Sequence, residues 1–279
     1  MHRFRRTLIS SSFVAAIAAL GLSLPAHSQQ LASAQTQAPA HAAIEGSRSP
    51  VLVELFTSEG CSDCPPADAL LAQLDTRQPI PGADVIILEL HVSYWNDDWR
   101  DPFSSMSYTD RQHMYAYGHS DQMYTPQMIV DGGDRFIGSN GQAAVKAIQQ
   151  AARAPKAPIE LQWSGAANGN DRVLHVKVAS LPQGDPDKPQ IFLAITESHL
   201  HVDVHAGENH GKSLDHDGVV RKLAAIGKIQ SHSGDPIFDT QTQVKLEKDW
   251  KPENVRAVVF VQDPHSLRVL GAAEIPFSD

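Results

Sequence analysis

The sequence predicts an α/β domain built on a βαβ unit, followed by an antiparallel β-sandwich. Three observations carry that prediction. Val51–Leu74 reads as a short apolar strand, a loop and an amphipathic helix. Asp84–Val92, DVIILELHV, is a nearly continuous apolar run of the kind found in a strand covered on both faces. Beyond residue 158 the texture changes to short alternating runs separated by polar turns. At 279 residues, 42% apolar and 20% charged, the chain is long enough and apolar enough for two ordinary globular domains. The net charge of −9 comes without a clustered basic face, which gives no footprint for nucleic acid.

Taken in order, the chain opens with His2, Arg3, Arg5 and Arg6, an apolar run over Val14–Leu24, and small residues at Ala26 and Ser28. That pattern predicts a signal peptide over residues 1–28. The rival reading is an uncleaved anchor helix, for which the apolar run is short. Cleavage removes three arginines, takes the charge from −9 to −12, and leaves no membrane span. The expected location is periplasmic or secreted, where a disulfide persists. Residues 29–48, rich in Ala, Gln, Ser and Pro, read as a flexible leader. The α/β domain is expected over residues 49–153 and the β-sandwich over 159–279.

In the first domain, Val51, Leu52, Val53, Leu55 and Phe56 make the opening strand, interrupted by Glu54. Ala67, Leu70, Leu71 and Leu74 fall on one helix face. A helix between two apolar strands implies a parallel pair. Tyr94, Trp95 and Trp99 sit in a structured loop, and Thr109-Asp110 are candidate caps for a helix over 111–117. Gln127–Val130, the turn Asp131-Gly132-Gly133 and Arg135–Gly138 predict a hairpin, and Asn140–Ala152 a closing helix. In the second domain, strands are expected at 159–163, 173–178, 191–197, 244–247, 255–261 and 267–275. Asp217–Ile226 reads as a short helix or an irregular crossover.

The chemistry concentrates at Cys61 and Cys64, the two cysteines of the chain. A C-x-x-C pair at the tip of a strand and the start of a helix suits a redox disulfide; the same pair could be an inert bridge or half of a metal site. Asp63 should raise the Cys61 thiol pKa, whereas a helix start lowers it. Pro65-Pro66 suits a first helical turn. Glu54 is either a buried acid able to move protons for Cys64 or a partner of a Lys or Arg. His91, at the C-terminal end of a strand, either stabilises the Cys61 thiolate or orders the Tyr94–Trp99 loop. Tyr94 and Trp95 either line a substrate groove or cap the sheet. His199, His201 and His205, with Asp203, alternate as on one face of a strand. They are candidate metal ligands or simply a polar outer face, and a metal ion is not the expected reading.

The first half resembles the thioredoxin superfamily, with Cys61 at the exposed nucleophile, Cys64 at the resolving thiol, and Thr125-Pro126 at the cis-proline turn that faces the pair. Gly60 departs from that pattern where many thioredoxins carry Trp. Most of the chain is similar to a family of secreted bacterial proteins of unknown function with a thioredoxin-like domain and a β-rich tail. Its matching segments are Glu54–Asp68, His91–Trp95, Asp101–Phe103, Tyr124–Gln127 and Gly207–Asn209. The resemblance implies a thioredoxin-like fold and export. The expected activity is thiol–disulfide exchange through Cys61, Cys64, Pro126 and Glu54, with Thr125, His91, Tyr94 and Trp95 at the substrate. Protein thiols or disulfides would be the substrate, the disulfide itself the only cofactor, and the recycling partner is unspecified. The alternatives are a binding module with a structural disulfide and a histidine-rich metal-handling protein.

Overall fold

The computed structural model describes residues 48–119, 122–165, 169–182, 188–230 and 236–278. The expected signal peptide and nearly all of the leader lie outside these residues. The architecture is mixed α/β and is dominated by one large sheet with three α-helices among the described residues.

Strands β1 (Ser49–Thr57) and β2 (Ala83–His91) pair in parallel, Val51 opposite Val85 and Thr57 opposite His91. Helix α1 (Pro65–Arg77) makes the crossover. It starts at Pro65 because two prolines at its first positions forfeit only N–H groups that no helix could use there. The Cys64 carbonyl accepts the first bonds, from Ala67 and Asp68 N–H. Helix α2 (Met106–His119) begins earlier than the expected caps at Thr109-Asp110. Ser105 takes that role: its hydroxyl accepts from Ser107 N–H and its carbonyl from Tyr108 and Thr109 N–H. Thr109 instead accepts from the backbone of Ser93.

β3 (Gln127–Val130) and β4 (Asp134–Ile137) form the expected hairpin, with Asp131 and Gly132 both at positive φ in the turn. A Cβ on Gly132 would stand 1.9 Å from the Leu267 carbonyl oxygen, so only glycine fits. Helix α3 (Gly141–Ala151) is capped by Asn140, whose side chain accepts from Ala143 N–H.

The remaining strands are β5 (Ile159–Ser164), β6 (Asp171–Val178), β7 (Gln190–Glu197), β8 (Leu200–Asp203), β9 (Ser213–His216), β10 (Val219–Lys228), β11 (Phe238–Lys245), β12 (Val255–Gln262) and β13 (Val269–Pro276). The segment 217–226, expected as helix or crossover, is largely strand β10, held by its antiparallel pairing with β7. Tertiary pairing overrides its weak local pattern.

The sheet order is β13-β12-β7-β10-β2-β1-β3-β4, with a three-stranded sheet β11-β6-β5 and the hairpin β8-β9 beside it. The strands expected to form a self-contained sandwich therefore divide. Three of them, β7, β12 and β13, join β10 in extending the sheet of the first half, and β5, β6 and β11 pack on β7 and β12 through Trp163, Leu174, Val176, Leu193 and Val259. The two halves of the large sheet meet at a narrow joint: Val219 opposes Glu89, and Glu89 N–H donates to the Gly218 carbonyl.

Strand parity sorts the core. Val51, Val53 and Leu55 of β1 and Val85 and Ile87 of β2 face α1 and α3. Leu52 and Phe56, with Ile86, Leu88 and Leu90, face α2 and the C-terminal strands. Side chains of a strand alternate between faces, so parity also decides where each polar residue of β1 and β2 points.

Candidate functional site

Cys61 and Cys64 form a disulfide, and Cys64 is the N-cap residue of α1. The pair sits past the C-terminal end of β1, the side of a parallel sheet where α/β folds place their sites. The loop between β8 and β9 closes over it. Asn209 Nδ2 donates to the carbonyls of Glu59 (2.7 Å) and Cys61 (2.9 Å), and the Glu208 carboxylate accepts from Ser62 N–H at 3.0 Å. Cys61 is consequently only 2% exposed and Cys64 is fully buried. The exposed nucleophile expected from the resemblance is thus covered by a loop from the second half of the chain.

Beside Gly60 lies a cleft of about 290 Å³ walled by Tyr94, Trp95, Asp97, Asp98, Trp99, Gly207 and Glu208. Both indoles are anchored. Trp95 Nε1 donates to Thr125 Oγ1 (2.7 Å) and Trp99 Nε1 to Glu59 Oε2 (2.6 Å), while Tyr94 OH donates to Gln112. Tyr94 and Trp95 stand among the walls of this cleft. A Cβ on Gly60 would fall 2.8 Å from the Trp95 carbonyl oxygen, so a residue as large as Trp cannot stand there without moving this loop. The Thr125–Pro126 bond is cis. A Cβ on Gly138 would stand 3.1 Å from both Pro126 and Ala67, so the proline and the first turn of the cysteine-bearing helix border the same glycine.

Beneath the cysteine loop is a buried acid–histidine network, and parity explains it. Thr57, Glu89 and His91 continue the α1-facing rows of β1 and β2, and Asp68 lies on the buried face of α1. Thr57 Oγ1 donates to Asp68 Oδ1 at 2.6 Å. Burial, reinforced by the Glu89 charge, raises the Asp68 carboxyl to about 7. His91 Nδ1 is 2.7 Å from Asp101 Oδ2, and His216 Nδ1 is 2.7 Å from Glu89 Oε1. Burial opposes protonation of His91, but Asp101 and then Glu89 outweigh it and raise the imidazole to about 10. His216 rises to about 11 against the same opposition, through Glu89 and Glu59. Glu89 falls to about 2, its own burial overcome by His216 and His91. His91 also carries the loop: Asp101 accepts from Glu59 N–H and Phe103 N–H, and Ser105 N–H donates to the His91 carbonyl.

Glu54 belongs elsewhere. Its even parity sends it to the α2 face, away from the cysteines. There Arg111 Nε donates to one carboxylate oxygen and Tyr115 OH to the other, both at 2.5 Å. The pairing with an arginine is what the structure adopts, and the role of proton carrier for Cys64 does not fit its position.

His199, His201 and His205 do not converge. His199 sits just before β8 at positive φ and faces Asp217, His201 is exposed between Asp203 and Asp215, and His205 lies against the Trp99 ring. Among the described residues, the group whose donor atoms gather within 4.8 Å is Glu89, His91 and His216. Sequence reasoning missed Glu59, Asp68, Glu89, Asp101 and Asn209 as site residues, and grouped His216 with the alternating histidines. Asp68 left a signal, since it precedes Leu71 by three on the helix face otherwise filled by Ala67 and Leu74. Glu89 and His91 left another, as alternate polar positions in an apolar run.

The family described as "Protein of unknown function (DUF1223)" matches residues 52–262, which span the cysteine loop, the network and both halves of the sheet. The chain belongs to this family. No curated protein matches the sequence. Among solved structures, the chain is similar to protein AGR_C_4864 from Agrobacterium tumefaciens, with a TM-score of 0.62 at 23% identity over 84% of this chain and 96% of that one. It is also similar to HBP35 of Porphyromonas gingivalis, with a TM-score of 0.59 at 12% identity over 82% and 76% of the two chains. These likenesses concern the fold. Among the described residues no helix is long and apolar enough to cross a membrane.

Proposed function

We propose that this family member is an exported thiol–disulfide exchange protein whose first half, residues 49–153, is a thioredoxin-like domain. The observation that carries the reading is the Cys61–Cys64 disulfide at the N-cap of α1, beside a tryptophan-walled cleft and above a buried acid. In the reduced protein the Cys61 thiolate attacks a substrate disulfide and forms a mixed disulfide, and the other substrate sulfur leaves as a thiol. Cys64 then attacks Cys61, releasing the second substrate thiol and restoring the protein disulfide. Two electrons pass to the substrate, and a separate dithiol partner must return them.

Asp68 is better placed than Glu54 to take the Cys64 proton. It lies one helical turn beyond Cys64 on the buried face of α1, and its carboxyl at about 7 can hold or release a proton near neutrality. Thr125 and Pro126 border the substrate side with Trp95. Access to Cys61 runs from the cleft at Gly60 and requires the Asn209 loop to yield.

The burial of both cysteines favours a second reading, an inert bridge that pins the loop in a binding module. Equilibration with glutathione or dithiothreitol, followed by trapping of free thiols, separates the two. A reduction potential between about −120 and −270 mV supports exchange, whereas a value below about −300 mV marks a structural bridge. The exchange reading also expects Cys64→Ser to accumulate mixed disulfides and Cys61→Ser to form none.

A further inference from the structure

We infer that the cleft beside Gly60 receives a lysine or arginine side chain of a polypeptide, and so selects substrate disulfides that lie next to positive charge. The choice of substrate rests on the exchange reading; the binding of the cation does not.

The cleft lies between two loops. Residues 94–99 follow β2, and Gly207 and Glu208 belong to the β8–β9 loop. The loops abut at the glycine: a Cβ on Gly207 would stand 3.3 Å from Trp99 Cβ and 3.8 Å from Asp98 Cβ. At about 290 Å³ the space is small for a ligand pocket, which suits one side chain rather than a whole cofactor.

What the walls can still bind follows from which of their polar atoms are already engaged. The Tyr94 hydroxyl and the indole N–H groups of Trp95 and Trp99 donate to Gln112, Thr125 and Glu59. These aromatics therefore offer ring surface and no free N–H or O–H. Asp97 and Asp98 are exposed and make no hydrogen bond or ion pair among the described residues. Glu208 accepts from Ser62 N–H with one oxygen and keeps the other. Among the described residues no lysine, arginine or histidine lines the cleft. Ring faces and carboxylate acceptors are complementary to a cationic donor on an apolar stem, which describes a lysine or arginine side chain.

Two other ligands suit these walls less. The carboxylate oxygens of Asp97, Asp98 and Glu208 are not among the donor atoms that gather within 4.8 Å in the described residues, so one metal ion is poorly served. An ammonium or guanidinium, with several N–H groups, can reach separated acceptors. An acidic partner is repelled by three carboxylates and by the net charge of −9.

Gly60 is both a wall of the cleft and the residue before Cys61, so a cation seated there brings a neighbouring disulfide to the nucleophile.

The test uses the reduced mature chain, freed of reductant, and three matched peptides. Each carries a cysteine capped by an S-methylthio group and flanked on both sides by lysine, norleucine or glutamate. Two electrons pass from the Cys61 and Cys64 thiols to the peptide disulfide; methanethiol and the peptide thiol leave, and the Cys61–Cys64 disulfide closes. Each rate is divided by that of dithiothreitol with the same peptide, which removes the peptides' own differences in reactivity. The lysine peptide is expected to react about tenfold faster than the norleucine peptide at low salt, with the two converging at high salt and glutamate slowest. The Asp97→Asn, Asp98→Asn double variant should bring the lysine-to-norleucine ratio close to one, and Tyr94→Leu should lower it about two- to fivefold. The Glu160→Gln, Glu253→Gln double variant, which removes two exposed charges outside the cleft, should keep the parent's ratio. Equal rates for lysine and norleucine overturn the inference while exchange stands, as does a ratio that survives the loss of Asp97 and Asp98. If no peptide reacts, the exchange reading fails, and calorimetric titration of the oxidised chain with the serine forms of the same peptides decides for the cleft. Tighter binding of the lysine form, lost in the Asp97→Asn, Asp98→Asn variant, supports a cation site; equal binding of all three overturns it.

Discussion

Two buried ionic clusters lie on opposite faces of the same pair of strands, and they are built on different terms. On the α2 face, Glu54, Arg111, Tyr115 and Gln262 satisfy one another: Gln262 Nε2 donates to Tyr115 OH, and Gln262 Oε1 accepts from Arg111. The guanidinium also rests over the Tyr115, Phe192 and Phe260 rings. On the α1 face, Glu59, Glu89, His91 and His216 leave three buried atoms without a hydrogen bond among the described residues. A closed network holds the fold together. The open one relies on longer ion pairs, His91 Nε2 with Glu89 at 3.3 Å and His216 Nε2 with Glu59 at 3.5 Å.

The largest effect expected from this contrast is on the closed side. Arg111→Met leaves a buried carboxylate unpaired and should cost about 3–5 kcal/mol in urea denaturation. The double variant Glu54→Gln, Arg111→Met should recover much of that loss, because both charges are then gone. A single Arg111→Met variant as stable as the parent would break the comparison.

Next in size is Asn209→Ala. It removes two buried hydrogen bonds that tie the β8–β9 loop to the cysteine loop, for about 1–3 kcal/mol. The same variant should accelerate reduction of the Cys61–Cys64 disulfide by dithiothreitol, since the loop is what covers Cys61. An unchanged rate would mean that access runs elsewhere. On the open side, Glu59→Gln should cost about 1–2 kcal/mol, less than Arg111→Met, because Glu59 faces His216 Nε2 only at 3.5 Å. The glutamine oxygen can still accept from Trp99, and the other Glu59 oxygen makes no hydrogen bond among the described residues. A loss as large as that of Arg111→Met would show the two clusters to be alike.

The smallest effect lies outside both clusters. Burial raises the Glu274 carboxyl to about 7; Arg256 opposes this, and the like charges of Asp75 and Asp84 add to it. The folded state therefore binds more protons than the unfolded state between the ordinary glutamate value, about 4.3, and about 7, and stability should fall as pH rises through that window. Glu274→Gln should flatten this part of the profile, measured as urea midpoints at pH 5 and pH 8. A slope that survives the substitution assigns it to other groups.

How much of this was legible follows from range. The βαβ unit, the helix start at Pro65, the Asp131-Gly132-Gly133 turn and the Asn140 cap are written in residues within a few positions of one another, where prolines, glycines and periodicity act directly. Glu54 shows the limit. Its interruption of an apolar strand was visible, but whether it faced α1 or α2 depended on parity relative to helices not yet placed. His216 and Asn209 were harder still, because their partners Glu89 and Cys61 are 127 and 148 residues away in sequence. No local pattern marks a pairing across such a distance. The alternating histidines show the opposite limit: a local pattern was present, but the short β8 does not include His199 or His205.

Glu89 closes two structures at once. Its backbone is the joint where the two halves of the sheet meet, and its side chain holds His216 and accepts from Asp217 N–H. The site is therefore not portable. A fragment ending near residue 153 would carry both cysteines but lack the histidine and the asparagine that complete their surroundings, and it would leave β2 as an open edge. For recombination, the heritable unit is the whole span from Ser49 to Pro276, and a graft of the cysteine motif alone would transplant the reagent without its vessel.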